Sequence, residues 1–173
     1  MDEIVDIVDD QDKIIGQELK SNCHANKLLH RGAAILVFKD NSYQDTLIQK
    51  RSIIKNSNPQ KSCIPGGHLS SGDKYIDGAK RELQEENFHE QKLPSEIEFE
   101  ELFKIKKSTD NDHEFNVVYR VIYPGPFSND PKEVEDSYFM NINSLVIDID
   151  KNPENYTETT RLLVKEYQKR YTS

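Results

Sequence analysis

No stretch of this 173-residue sequence approaches the roughly 20 consecutive apolar residues that a bilayer-spanning helix needs, so no membrane association is expected. The N-terminus, Met1-Asp2-Glu3-Ile4-Val5-Asp6, lacks the basic and apolar regions of a signal peptide, and cytoplasmic residence is the default expectation. Positive charge is also short. Lys and Arg number 23 against 31 Asp and Glu, a net charge of −8, whereas a general binder of nucleic-acid polymers needs a clustered basic surface. A small phosphorylated ligand stays open, because a few local cations and a metal can neutralise it. The two cysteines, Cys23 and Cys63, are too few for a disulfide framework and form no C-x-x-C pair. Both are expected to be reduced and to serve as small packing residues. Internal repeats and low-complexity segments are absent too.

What is present suits one domain over 1–173, with a sizeable core and a well-solvated surface. Ile4–Val8 and Ile14–Leu19 read as a hairpin, followed by a turn or short helix near Lys20–Asn26, and together these make an N-terminal extension over 1–32. Ala33–Lys39 is an apolar run of strand length, expected to pair with Thr46–Arg51 across the polar turn Asp40–Asp45. Pro65-Gly66-Gly67 and Gly72 mark a structured loop. Lys74–Phe88 is the clearest helix, with Ile76, Ala79 and Leu83 facing the core. Ile97–Lys106, Glu114–Tyr123 and Val134–Met140 are candidate strands. Asn143 is a candidate cap for a helix ending before Pro153, and Thr157–Tyr171 a terminal helix. Helices interleaved with strands and hairpins predict an α/β architecture, a mixed sheet covered on both faces.

Arg81-Glu82-Leu83-Gln84-Glu85-Glu86 is the most informative stretch. Positions three and four apart share a helix face, so Glu82, Glu85 and Glu86 gather away from the Ile76–Ala79–Leu83 stripe, with Glu86 near its border and partly shielded. Acidic helix faces are most often simply solvated. Here, however, the like charges of Glu82 and Glu86, and of Glu86 and Glu90, stand at i and i+4, each pair costing about 0.2–0.5 kcal/mol. A solvated helix would gain from Lys at one of those places. Carboxylate oxygens in such a group are what Mg²⁺ requires, together with water and substrate phosphates. Gly66-Gly67 in the preceding loop lets the backbone approach a neighbour or ligand closely.

This order of glycine loop, helix and clustered carboxylates resembles the Nudix box, G-x5-E-x7-R-E-U-x-E-E-x-G-U, where U is a bulky aliphatic residue. The match spans 67–89. Gly67 begins it, and Arg81, Glu82, Leu83, Glu85 and Glu86 fall at the required spacing. Asp73 replaces the first Glu, Phe88 stands where the helix-ending Gly belongs, and His89 replaces an aliphatic residue; the exit turn is therefore expected to differ, with Asn87 as the candidate for it. The resemblance implies a Nudix-type α/β/α sandwich with a mixed central sheet. It also implies metal binding by Glu82, Glu85 and Glu86, and orientation of those carboxylates by Arg81.

The N-terminal half resembles type I isopentenyl diphosphate isomerase and its hydrolase relatives, which share the Nudix fold. Their metal-binding histidines match His24, His30 and His68, and their acidic ligands match Asp112 and Glu114, which implies a second metal site. Lys20, Arg51 and Lys55 occupy places that hold the substrate diphosphate in those isomerases. A lone His near a strand start is usually a surface or satisfied core residue, but three histidines and two acids in matching order weigh against that reading. Isomerisation needs protonation at carbon, for which those isomerases use a Cys immediately before the Gly-His pair; here that place is Gly66, with Cys63 three residues away.

The balance moves to a Mg²⁺-dependent (or Mn²⁺-dependent) hydrolase of a diphosphate linkage in a nucleoside diphosphate derivative or another small organic diphosphate. Glu82, Glu85, Arg81 and Glu114 are its candidate catalytic residues. Lys20, Arg51, Lys55, Gly66 and Gly67 are its candidate substrate contacts, and Glu114, Glu133 and Glu135 are candidates for the general base beside the Glu cluster. Tyr43–Gln44 and Tyr123–Phe127 are expected to wall the pocket. An isomerase of isopentenyl-diphosphate type and a non-catalytic nucleotide-binding module are the competing readings.

Overall fold

The structure is a computed structural model that describes residues 2–108 and 113–172. Its centre is β3 (His30–Phe38), whose residues Ala33 to Phe38 are all at most 3% exposed. A strand buried on both faces reads as a continuous apolar run, which is why Ala33–Lys39 stood out in the sequence. Alternate side chains feed two cores. Ala33, Ile35 and Val37 join Ala79 and Leu83 of α2 (Tyr75–Asn87). Ala34, Leu36 and Phe38 join the residues of α3 (Ile142–Lys151) and α4 (Glu158–Tyr171). Helices thus cover both faces of a mixed sheet, an α/β/α sandwich.

The sheet also contains β4 (Asp45–Arg51), β5 (Ser62–Cys63), β6 (Gly66–His68), β7 (Glu100–Ser108), β8 (His113–Ile122) and β9 (Val134–Asn141). Its main path runs β5-β4-β3-β8-β7, with β6 added to β3 and β9 to β4. The expected hairpin of β3 and β4 is mostly splayed, since they pair only at Phe38↔Thr46. Beyond that corner β3 runs parallel to β8 from His30↔Glu114 to Phe38↔Ile122, while β4 pairs with β9 from Asp45↔Asn141 to Arg51↔Val134. The opening between them admits β6 and the carboxylate end of α2.

Ahead of β3 lie β1 (Ile4–Val8), β2 (Ile14–Leu19) and α1 (Lys20–Ala25), the hairpin and short helix expected from the sequence. They bury Val5, Val8 and Cys23 and are tied down by polar contacts: Ser71 N donates to Ile4 O at 2.9 Å, Gly72 N to Asp6 Oδ2 at 3.0 Å, and Arg31 Nε to Asp12 Oδ1 at 2.6 Å. The hairpin is a strap across the glycine loop, and it fixes where α1 sits.

Two local expectations are corrected. The cap of α3 is Asn141, whose Oδ1 accepts from Asn143 N at 3.1 Å and Ser144 N at 3.3 Å, so Asn143 is inside the helix. Asn141→Ala is expected to cost about 1 kcal/mol, read as a lower urea midpoint at unchanged slope. The exit of α2 does not use Asn87 as a left-handed cap. Asn87 is the last helical residue, and the chain leaves through Phe88 at φ −130°. Phe88 is fully buried against Tyr123 and Phe127, ring centroids 5.1 and 6.1 Å away, so aromatic packing ends the helix where a glycine turn would have done so. Among the described residues no helix is long and apolar enough to cross a membrane.

Candidate active site

The predicted glycine loop forms β6, which pairs antiparallel with β3 as Gly32↔His68, Ala33↔Gly67 and Ala34↔Gly66. Alternation along strands then assigns the faces. Gly67 shares a face with Ala33 and α2, while His68 shares the opposite one with Gly32 and His30. Two donor sets therefore lie on opposite sides of one short backbone.

On the α2 side, a Cβ at Gly67 would collide with the Glu82 carboxylate. The missing side chain is what lets that carboxylate lie against the backbone. Arg81 binds the cluster together: Nη1 donates to Glu82 Oε1 at 2.7 Å and to Glu85 Oε2 at 3.4 Å, and Nη2 donates to His68 O at 2.9 Å and to Asp73 Oδ2 at 3.4 Å. Asp73, in place of the box's first Glu, reaches the arginine despite its shorter side chain. Glu86 is more buried than its border position suggested, at 5% exposed. Its Oε2 accepts from Gln49 Nε2 at 2.9 Å and from Gly66 N at 3.1 Å. Glu85 points outward, with its side chain 57% exposed.

Burial and the neighbouring Glu86 push the Glu82 carboxyl up to about 8. Burial pushes Glu86 up to about 7, against the opposing hydrogen bonds of Gln49 and Gly66. Two desolvated carboxylates of like sign are costly without a cation, and hard oxygen donors suit Mg²⁺ or Mn²⁺. By this chemistry the donor set fits such an ion.

On the other face, the rings of His24, His30 and His68 have centroids 5.0, 5.0 and 5.1 Å apart, and their ligand atoms lie within 4.8 Å of one another. Parallel pairing sets His30 beside Glu114. Glu114 Oε1 lies 2.9 Å from His68 Nε2 and 3.6 Å from His30 Nε2, while Oε2 accepts from Asn116 Nδ2 at 2.6 Å and faces buried Lys107 Nζ at 3.4 Å. Burial works to raise the Glu114 carboxyl, but His68, His30 and Lys107 hold it well below the usual carboxylate range. Three imidazoles and a carboxylate form a borderline donor set, suited to Zn²⁺ or Mn²⁺. Asp112, the fifth expected ligand, lies outside the described residues.

Arg51 and Lys55 are at the β4 end of the site. Arg51 Nε donates to Ser57 O at 3.2 Å, and its charge acts on Glu86. Lys55 is ion-paired with Glu133. Lys20, on α1, is instead paired with Glu3 at 3.3 Å, beside Ser70 and Arg81. Glu135 faces solvent with Lys50 and Gln60. The expected Tyr43–Gln44 wall is elsewhere. It follows the Phe38 end of β3, a strand's length from His30, and lines a separate cavity of about 360 Å³ with Arg120 and Tyr167. Phe127, by contrast, leads into Asn129 and Asp130 at the end of α2.

Gly66 has φ +144°, and a Cβ there would collide with Ala33 O and lie 2.8 Å from Ala34 Cα. No cysteine fits at this position in the observed backbone. Cys63 does not substitute for one, because it is 5% exposed and burial pushes its thiol up to about 12.

Gln49, Asn87, Asn129, Ser137 and Lys107 were missed from the sequence. For two of them a signal existed: Gln49 shares the strand face of core-facing Leu47, and Asn87 continues the Ala79–Leu83 stripe, polar residues in apolar places.

Residues 28–163 match the NUDIX domain family. The chain is similar to an isopentenyl-diphosphate Delta-isomerase of Serratia proteamaculans, 29% identical over 91% of this chain and 87% of that protein. It is also similar to an uncharacterised Nudix hydrolase of Yersinia pestis, 28% identical over 80% and 72% respectively. A solved Deinococcus radiodurans protein shares the fold at TM-score 0.79 and 19% identity, over 95% of this chain and 98% of its own. A MutT protein from Methanosarcina mazei shares it at TM-score 0.66 and 12% identity, over 84% and 96%.

Proposed function

This chain belongs to the Nudix family, and from that premise we propose that it is a divalent-metal-dependent hydrolase of a diphosphate linkage in a small organic molecule. The observation that carries this reading is the pair of desolvated carboxylates, Glu82 and Glu86, held against Gly66–Gly67 by Arg81 and Gln49. When bound by Glu82, Glu86 and the outer Glu85, Mg²⁺ or Mn²⁺ would neutralise phosphate charge and lower the pKa of an attacking water. The protein's own part is positioning and charge, because phosphoryl transfer asks little covalent chemistry of side chains. Arg81 keeps Glu82 aimed at the glycine backbone and reaches toward Glu85. Gln49 and Gly66 N occupy one oxygen of Glu86, which leaves the other to face the ligand. Arg51 and Lys55 steady the non-reacting phosphate. Glu114, held ionised by three cationic or donor neighbours, suits a ligand of the histidine set better than a base. We assign the water's proton to Glu133, which is paired with Lys55 and whose charge acts on Glu86.

The isomerase reading is disfavoured by Gly66, whose backbone leaves no room for the cysteine that carbon protonation needs. Phosphate release should be measured on a panel of diphosphates with Mg²⁺ or Mn²⁺. Release is expected for at least one substrate, and Glu85→Gln is expected to lower it more than tenfold. Double-bond migration in isopentenyl diphosphate without phosphate release would refute the proposal, as would a Glu85→Gln variant of unchanged rate.

A further inference from the structure

Among the described residues four carboxylates surround the Arg81 guanidinium, and one of them comes from the N-terminal strap. Its two terminal nitrogens divide the acids. Nη1 faces Glu82 and Glu85 of its own helix, while Nη2 donates to His68 O and Asp73 Oδ2 and lies 3.8 Å from Glu3 Oε1. Glu3 immediately precedes β1. Its Oε1 accepts from Ser70 Oγ at 2.5 Å, and its Oε2 from Lys20 Nζ at 3.3 Å. Burial works to raise the Glu3 carboxyl, but Ser70, Lys20 and Arg81 hold it below its ordinary value. Glu3 is therefore a half-buried anion at neutral pH. The strap also grips the loop that carries Asp73. Asp6 accepts from Ser71 Oγ at 2.7 Å and from Gly72 N at 3.0 Å, and within the loop Ser70 N donates to Asp73 Oδ2 at 3.2 Å. Both acids on the Nη2 side are thus held from the strap and the loop, independently of α2.

We infer that Glu3 is a positioning residue, the counter-charge that stays with Arg81 when Glu82 and Glu85 turn to a divalent ion. The inference rests on the hydrolase reading above, in which those two glutamates are metal ligands. Arg81 and the ion compete for the same carboxylate oxygens, so ion binding takes anionic partners from Nη1. A half-buried guanidinium stripped of its anions is costly, because the water that would replace them is partly excluded. Glu3 and Asp73 compensate from the Nη2 side. Ser70 and Lys20 keep Glu3 in place, and neither of them has to move for the ion to bind. Without Glu3 the arginine would hold Glu82 and Glu85 more tightly, and the ion would bind less well. Asp73 lies inside the Nudix box, whereas Glu3 lies far ahead of it, so the strap tunes the metal affinity of a helix it does not belong to.

The test is a double-mutant cycle read as Mn²⁺ affinity, from the free-ion signal in electron paramagnetic resonance. One equivalent of Zn²⁺ is added first, since imidazole donors favour it, so that the histidine set is filled and Mn²⁺ reports on the glutamates. Glu3→Gln keeps an acceptor for Ser70 and removes the charge, and it is expected to weaken Mn²⁺ binding about tenfold. In an Arg81→Met background the same change is expected to shift the affinity less than about twofold, because the residue it acts through is gone. Should Arg81→Met not fold, Arg81→Lys is the second background with the same expectation, since one ammonium cannot span both pairs of acids. Equal weakening with and without Arg81 overturns the inference, as Glu3 would then act through the fold or directly on the ion. So does a Glu3→Gln protein, folded by its thermal midpoint, that binds Mn²⁺ as tightly as the wild type. A wild-type protein that takes up Zn²⁺ but no Mn²⁺ sinks the hydrolase reading and this inference together, whereas the other two results sink the inference alone.

Discussion

Glu86→Gln is expected to raise the thermal midpoint of the metal-free protein at pH 8 while lowering diphosphate hydrolysis by about a hundred- to a thousandfold. The two effects have one cause. Glu86 is buried, and its carboxyl is pushed from the ordinary 4.5 up to about 7. The folded state therefore binds that proton more tightly than the unfolded chain does. The stability this confers is complete below about pH 4.5, declines as pH rises, and is gone above about 7. Glu82, raised to about 8, has the same sign and extends the window upward. Glu114 has the opposite sign, so its contribution is present above 4.5 and lost only in acid. Between pH 5 and 8.5 the two raised glutamates should make the metal-free protein less stable, by of order 3 kcal/mol for Glu86. In a chain of this size that is roughly 5–10 °C in the midpoint. Glutamine keeps an acceptor for Gln49 Nε2 and Gly66 N without the charge. A scan of midpoint against pH should show a shallower fall in the variant, and saturating Mg²⁺ should flatten the wild-type curve while barely moving the variant's. A variant no more stable than wild type at pH 8, or one retaining full hydrolysis, contradicts the assignment of Glu86 as a strained carboxylate waiting for a cation.

Gly66→Cys is the second large effect. It restores the side chain that the isomerases carry immediately before Gly-His, and it is expected to fail. The new Cβ would meet Ala33 O and Ala34 Cα, both backbone atoms of the central buried strand, at φ +144°. Neither neighbour can yield without unpairing β6 from β3. A loss of about 3 kcal/mol or more is expected, together with hydrolysis, because Gly66 N would leave Glu86 Oε2. No double-bond migration in isopentenyl diphosphate should be seen by proton exchange in deuterated water. Gly66→Ala should lose nearly as much stability, which would separate backbone collision from thiol chemistry. A folded, isomerising Gly66→Cys protein would mean that β6 can move aside, and the choice between hydrolysis and isomerisation would reopen.

The elements were legible where the chain carries strong local periodicity. The β1–β2 hairpin, the β3 run and the Ala79–Leu83 stripe each need only nearest neighbours to be read. The splay of β3 from β4 was not, since adjacent strands in a sequence ordinarily pair, and only the competing partners β8 and β9 pull these two apart. The cap at Asn141 was missed by two residues for a similar reason: Asn141 and Asn143 offer the same side chain, and the end of β9 decides which one starts the helix.

For the site, the spacing Arg81-Glu82-x-x-Glu85-Glu86 after Gly67 by itself determined that carboxylates would share a helix face beside a side-chain-free backbone. Helix geometry guarantees as much wherever the helix is placed. Which of those glutamates is desolvated depends on what packs against them, and Gln49, 37 residues away, reaches Glu86 only because β4 opens from β3. Likewise His24, His30 and His68 converge through the hairpin strap and the β6–β3–β8 pairing, contacts between segments that carry no mutual signal in the chain. Residue types and local periods are properties of short stretches, and the sequence settled those. Burial, facing and pairing are properties of segments far apart in the chain, and only the folded structure decided them.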